Sequence, residues 1–188
     1  MLHTHVMTTS SQKVLSLLAK FSDQKFYERQ VARRLGISYG SANRALNELF
    51  ASGAVTRRQE GKMYFYSVDS SDAAVIELKK MINLMLVEPL VDQLKQVSNR
   101  VVLYGSCAFG TDTSGSDLDL FVVSNSKSKV SNIINDFKFP TGYENIRIQT
   151  VIKTPAELLE AGESERAFIE DVERGIVLWE RAASEPRF

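Results

Sequence analysis

The chain has 188 residues, with 23 Lys and Arg balanced by 23 Asp and Glu, one cysteine and 44% hydrophobic residues. This length allows one or two compact domains and excludes a large multidomain enzyme; an apolar content near the globular norm excludes disorder as a whole. Lone Cys107 excludes an internal disulfide and a cysteine-built zinc site. No stretch reads as a signal peptide, and the longest apolar run, Met81 to Val87, is far short of the roughly 20 residues of a spanning helix, so a cytoplasmic protein without membrane contact is expected.

The balanced total hides an asymmetry. Residues 1–70 carry ten basic and five acidic side chains, a net +5, and the remainder carries 13 basic and 18 acidic, a net −5. A basic module joined to an acidic one predicts two tasks, one of them facing a polyanion. Residues 1–9, with His3 and His5 in a Thr/Ser-rich run, read as a disordered start rather than a metal site.

From Ser11 the apolar residues Val14, Leu15, Leu17, Leu18 and Phe21 recur at helical spacing, with Ser10 or Ser11 as the N-cap. A shorter helix opens near Phe26, carries Val31, Ala32 and Leu35, and closes at Gly36. Ser38 caps a third helix that buries Ala42, Ala45, Leu46, Leu49 and Phe50 and ends at Gly53. Its other face shows Asn43, Arg44 and Asn47, with Tyr39 and Ser41 at its start. Arg and Asn can bond guanine and adenine edges, and Ser and Tyr can hold phosphates; a plain solvated helix face has a similar composition. Two strand-like segments follow, Val55–Gln59 and Lys62–Val68, joined at Glu60-Gly61, with Arg57, Arg58 and Lys62 clustered at the tip. Helix, short turn, helix and basic hairpin over residues 10–69 resemble a winged helix-turn-helix domain, which implies a double-stranded DNA partner or, in other members of that class, a protein.

Residues 70–99 read as a connecting helix capped by Ser70 or Ser71, with Val75, Leu78, Met81, Ile82, Met85 and Leu86 on a wide apolar stripe and Pro89 kinking or interrupting it. Such breadth suits either interdomain packing or a homodimer that would match a palindromic operator.

The most informative stretch is Arg100 to Val123. A short apolar strand runs into Gly105-Ser106, where backbone N–H groups and a hydroxyl can meet a phosphate. After a polar loop, Ser116 introduces Asp117-Leu118-Asp119 on a second apolar strand, and residues two apart on a strand share a face. Two carboxylates side by side in an apolar setting need a positive partner, and Mg²⁺, which takes one or two carboxylates together with substrate phosphates, supplies it.

Gly105-Ser106 followed by Ser116-Asp117-Leu118-Asp119 resembles the DNA polymerase beta-like nucleotidyltransferase superfamily, in particular its minimal domains. The resemblance implies a mixed sheet flanked by helices. It also implies a nucleoside triphosphate, ATP being the expected one, held by Gly105, Ser106 and Ser116, with metal and catalysis on Asp117 and Asp119. A third carboxylate on a later strand is common in that superfamily; here Ile146–Ile152 offers Gln149, an amide that cannot take a proton at neutral pH, and Glu144 lies just before it. The arginine often found three residues after the serine is replaced by Phe109. Thr154 caps a helix over Ala156–Ala161, Glu157–Glu173 reads as a solvated acidic helical region, and Gly175–Trp179 as a closing strand with Trp179 in the core.

The expectation is therefore an α+β chain: a winged helix-turn-helix over 10–69, a connecting helix over 70–99 and a nucleotidyltransferase fold with a mixed sheet flanked by helices over 100–188. Its expected activity is transfer of a nucleoside monophosphate from NTP to a hydroxyl, on a protein acceptor in a toxin–antitoxin-like pair if the resemblance extends so far. The alternative is a transcription regulator whose second domain senses nucleotide or is purely structural.

Overall fold

The computed structural model describes residues 7–160 and 162–182; His3 and His5 lie outside the described residues. Helix α1 (Ser10–Lys20) is capped by Thr9, not by Ser10 or Ser11 as predicted. The reason is reciprocity: the Gln12 amide N–H donates to Thr9 Oγ1 at 3.2 Å while Gln12 Oε1 accepts from the Thr9 N–H at 3.0 Å, a capping box that neither serine can form in this register. Phe26–Tyr27, predicted to open a helix, is instead a short strand, β1, ahead of α2 (Glu28–Leu35). Gly36 closes α2 at φ +64°, and Ser38 caps α3 (Tyr39–Ala51) by accepting from the Ser41 amide.

Strands β2 (Thr56–Glu60) and β3 (Met63–Ser67) pair antiparallel with Glu60 opposite Met63, so the tight turn is Gly61-Lys62, one residue later than read from the sequence. Strand β1 pairs antiparallel with β3, giving a three-stranded sheet in the order β1-β3-β2. Helix α4 (Ala73–Leu94) is capped by Asp72, whose Oδ1 accepts from the Ala74 amide at 2.7 Å, in place of Ser70 or Ser71. It runs through Pro89 without interruption. Leu86, Val87, Leu90, Val91 and Leu94 on both sides of the proline are buried, and that burial offsets the missing backbone bond. Among the described residues no helix is long and apolar enough to cross a membrane.

The second sheet is built from β4 (Arg100–Tyr104), β5 (Leu118–Val123), β6 (Ile148–Lys153) and β7 (Ile176–Glu180) in the order β6-β5-β4-β7. It is mixed: β5 and β6 are parallel and the other pairs antiparallel. One face, with Val101, Leu103, Leu118, Leu120 and Val122, joins the main apolar core together with α4 and α6 (Lys127–Asp136). The other, with Val102, Tyr104, Phe121 and Val123, is covered by Phe168 and Val172 of α8 (Glu163–Glu173). The acidic stretch is two helices rather than one, because α7 (Pro155–Leu159), started by a Thr154–Glu157 capping box, ends before α8 begins. Trp179 on β7 is partly buried against the main core.

The main core extends from α1 through α4 to the second sheet without a break: Val14, Leu17, Leu18 and Phe21 belong to the same cluster as Ile82, Leu90, Cys107 and Leu120. Phe21 stacks on Tyr143 at 6.0 Å, the Arg34 guanidinium lies 3.9 Å over the Phe21 ring, and Arg34 Nε donates to the Gly142 carbonyl. Inside this core sits a charged cluster. Lys20 Nζ donates to Asp112 Oδ2 and to Asn83 Oδ1, both at 2.6 Å; Lys79 Nζ lies 3.9 Å from Asp112 Oδ1 and donates to the Asp112 carbonyl; Asn83 Nδ2 donates to Asp112 Oδ1 and to the Cys107 carbonyl. The Asp112 side chain is wholly buried and serves two lysines. Replacing Asp112 with Asn leaves two ammonium groups in the core without a counter-charge, and the variant should lose about 3–5 kcal/mol of stability, read as a lowered urea midpoint.

Candidate functional site

The apolar alternation of β4 ends at Tyr104, and the chain turns at Gly105 (φ +66°) into the one-and-a-half-turn helix α5 (Gly105–Phe109), which Gly110 closes at φ +71°. A side chain at Gly110 would collide with the Ile76 carbonyl of α4, so this turn is pressed directly against the long helix. Strand β5 starts beside it. Asp119 stands opposite Tyr104 across the antiparallel ladder and opposite Gln149 across the parallel one. A Cβ at position 105 would lie 2.6 Å from Asp119 Oδ2: only glycine lets this carboxylate rest against the turn's backbone.

The sequence-predicted residues of this region come together in part. Asp117 and Asp119 are half-buried at the start of β5, beside half-buried Gly105 and Ser106. Asp117 Oδ1 accepts from Arg147 Nε at 2.8 Å, an ion pair whose arginine is 75% exposed and therefore displaceable. Burial, aided by the charges of Asp117 and Asp171, raises the pKa of Asp119 above the ordinary carboxylate range. Ser116 is used differently: its Oγ accepts from the Thr113 amide at 2.9 Å and closes the loop. Gln149 is exposed, beside Asp119 in register. Glu144 does not reach the site, since its carboxylate accepts from the Gly142 amide and its charge acts on Arg34. Cys107 is inert. Burial pushes its thiol up to about 11, and the protonated sulfur donates to the Asp117 carbonyl at 3.4 Å.

Asp171 was missed by the sequence reading, which took 157–173 as a solvated face. The signal was the Phe168–Val172 pair at i, i+4, which marks the buried stripe of α8. Phe168 meets Tyr104 at 5.7 Å and Phe121 at 5.9 Å. The turn after α8 brings Gly175 so close to the Leu103 carbonyl that no side chain fits, which fixes the end of α8 at the end of β4 where Tyr104 and Gly105 lie. Asp171 therefore acts electrostatically on both Asp119 and Tyr104. Among the described residues no group of three or more His, Cys, Asp or Glu is placed to hold a metal ion. A pair of hard oxygen ligands open to a substrate is the arrangement magnesium tolerates and zinc does not favour.

The second set of candidates lies on α3 and the hairpin. Arg57 is sandwiched between Phe50 (4.1 Å) and Tyr64 (4.7 Å) and reaches Asn47 Oδ1 at 3.4 Å. Asn47 donates to Asn43, Asn43 donates to Glu28, and the Tyr39 hydroxyl donates to the other Glu28 oxygen, so the polar face of α3 is tied to α2 by one carboxylate. Ser41 is engaged in the cap of α3 with Ser38. Arg44, Arg58 and Lys62 are exposed.

Two variants test the carboxylate geometry. Gly105→Ala forces an L-residue into the left-handed region at a cost of about 1–2 kcal/mol and displaces Asp119, so both stability and site geometry should suffer. Asp119→Asn behaves oppositely. Because the folded pKa of Asp119 is raised, its ionised form opposes folding above that raised value and costs nothing below the unfolded value. The variant should unfold later than wild type in urea at neutral pH, and the gap should close as the pH falls below the ordinary carboxylate pKa of about 3.9.

A nucleotidyltransferase domain model matches residues 84–185, from within α4 to beyond β7. No curated protein matches the chain. With the Gly105 turn and Asp119 both inside a match that spans more than half of its length, the chain belongs to the nucleotidyltransferase domain family.

Proposed function

We propose that the protein transfers a nucleoside monophosphate from NTP to a hydroxyl, with pyrophosphate leaving, and that its N-terminal module is a winged helix-turn-helix that binds double-stranded DNA. The observation that carries the catalytic reading is the Asp119 carboxylate seated against the Gly105 backbone, with Asp117 two residues earlier. Gly105 and Ser106 present N–H and hydroxyl donors to the triphosphate at the start of α5. Asp117 and Asp119 would hold Mg²⁺, and the donor set fits it: hard oxygens, one of them raised in pKa by burial and by its acidic neighbours Asp117 and Asp171. The bound ion would offset charge on the triphosphate and on the leaving pyrophosphate. Arg147 holds Asp117 through an exposed, replaceable contact, so releasing it to a metal costs little. The acceptor oxygen bonds to the α-phosphorus as the bond from that phosphorus to the pyrophosphate oxygen breaks; the hydroxyl proton leaves to a carboxylate, since the Gln149 amide cannot take it.

ATP is the nucleotide we propose, with a protein hydroxyl as the acceptor. In the DNA reading, Arg44 and Arg57 face base edges while Arg58 and Lys62 at the hairpin tip meet phosphates. Tyr39 and Asn43 must exchange Glu28 for DNA, and that exchange limits what they add to affinity. A second reading, a regulator whose nucleotidyltransferase domain only senses nucleotide, is favoured by Gln149, which occupies the place beside Asp119 where a base would stand.

Labelled NTP incubated with Mg²⁺ and candidate acceptors tests the enzyme. Asp119→Asn should lower transfer at least about 100-fold, the upper range for removing a group that only supports a metal ligand; transfer at the wild-type rate overturns the mechanism, and tight NTP binding without transfer to any acceptor selects the sensor. For the N-terminal module, Arg58→Ala combined with Lys62→Ala should weaken duplex binding and reduce the salt slope by about 2, close to one for each phosphate contact removed. An unchanged slope rejects DNA as the partner of this face.

A further inference from the structure

Between the Gly105 turn and the Asp117/Asp119 pair runs the loop 110–116, and the chain holds it from outside. Asp112 is fixed by Lys20, the last residue of α1, and by Lys79 and Asn83 of α4. Two residues further on, the Ser114 amide and hydroxyl both donate to Asp23, in the turn that follows α1, at 2.9 and 2.5 Å. Lys20, Asp23, Lys79 and Asn83 all precede residue 84, where the family match begins. The anchors of this loop thus lie outside the residues that the family model matches.

We infer that Lys20 and Asp23 are positioning residues of the nucleotide site, clamping loop 110–116 in the path that sets Asp117 and Asp119 against Gly105. The inference rests on the nucleotidyl-transfer reading above. Its physical basis is geometric. The Asp119 carboxylate lies so near the Gly105 turn that a Cβ at position 105 would come within 2.6 Å of its Oδ2, so a small drift of the incoming loop changes the spacing of carboxylate and turn, and the loop has three exposed residues in a row, 113–115, that contribute no core packing of their own. The cluster at Asp112 pins one end of this exposed stretch and Asp23 pins its middle. Lys20 Nζ also lies 3.8 Å from the sulfur of Cys107, the residue after Ser106, so the cluster touches the turn as well as the loop.

The test uses the full chain. Lys20 is too deeply buried for a clean variant, whereas the Asp23–Ser114 pair is exposed and can be removed without opening the core. Titration with MgATP should show Asp23→Ala, which removes both hydrogen bonds, weakening affinity about 5- to 10-fold, and Ser114→Ala, which keeps the amide donation to Asp23, weakening it less, with the double variant no weaker than Asp23→Ala alone. Asp23→Asn keeps an acceptor for the Ser114 amide and should recover part of the loss. Thermal unfolding should move little, and hydrogen exchange at residues 112–117 should quicken in Asp23→Ala. Lys25→Ala, which breaks an exposed pair with Glu60 in the same turn, should bind as wild type. Wild-type affinity in Asp23→Ala overturns the inference while leaving nucleotide binding intact. Failure of the unmodified protein itself to bind MgATP overturns the nucleotidyl-transfer reading, and this inference with it.

Discussion

The contact between the Asp119 carboxylate and the backbone of Gly105 organises the catalytic half of this protein. It requires glycine at the turn, because any Cβ would occupy the place of Asp119 Oδ2, and it requires β5 to start in register with the end of β4. Both conditions are met by strands packed on both faces, with Leu118, Leu120 and Val122 in the main core and Phe121 and Val123 under α8: moving β5 by one residue would turn Asp119 toward the main core. The position of the carboxylate is therefore set by burial of its neighbours rather than by a bond of its own. A group placed in this way keeps its charge available to a ligand.

That availability has a cost in the free protein. Asp117 and Asp171 act on Asp119 at one end of the sheet with exposed Arg147 as the cation bonded to Asp117, and the Asp119 pKa is raised by burial first and by these acidic neighbours second. On the opposite side of the same turn, two buried lysines share one aspartate. Under the proposed activity, a triphosphate with its divalent ion would bring to the Asp117 and Asp119 carboxylates the positive charge they lack.

Much of this was legible in the sequence because it depends on local rules. The Gly-Ser turn, the strand carrying Asp119, which starts at Leu118 and so leaves Asp117 just before it, the helix-closing glycine at 36 and the hairpin are short-range patterns. The errors have long-range causes. Phe26–Tyr27 is a strand only because Phe65 and Tyr66 are there to pair with it. Pro89 stays within a helix because residues far away in the sequence bury its neighbours. Asp171 joins the site through the tight approach of Gly175 to β4, and no spacing within α8 announces that approach. Lys20 and Asp112, 92 positions apart, each read as an ordinary surface charge until the fold buries them together.

The same long-range contacts bear on what joining the two modules accomplishes. A basic DNA-reading unit tethered by a flexible linker would leave its partner domain unaffected by what it bound. Here α1 serves both sides. Ser11 Oγ donates to Glu48 on α3 at 2.6 Å near one end of the helix, and Lys20 and Asp23 grip the loop of the nucleotide site at the other. Any ligand that favours one placement of α1 over another must act on both ends, because a helix of this length moves nearly as a rigid rod and the core around it is close-packed. The equilibrium effect is reciprocal: whatever nucleotide does to α3, an occupant of α3 does to nucleotide. The fusion thus makes the N-terminal helix a shared wall between α3 and loop 110–116.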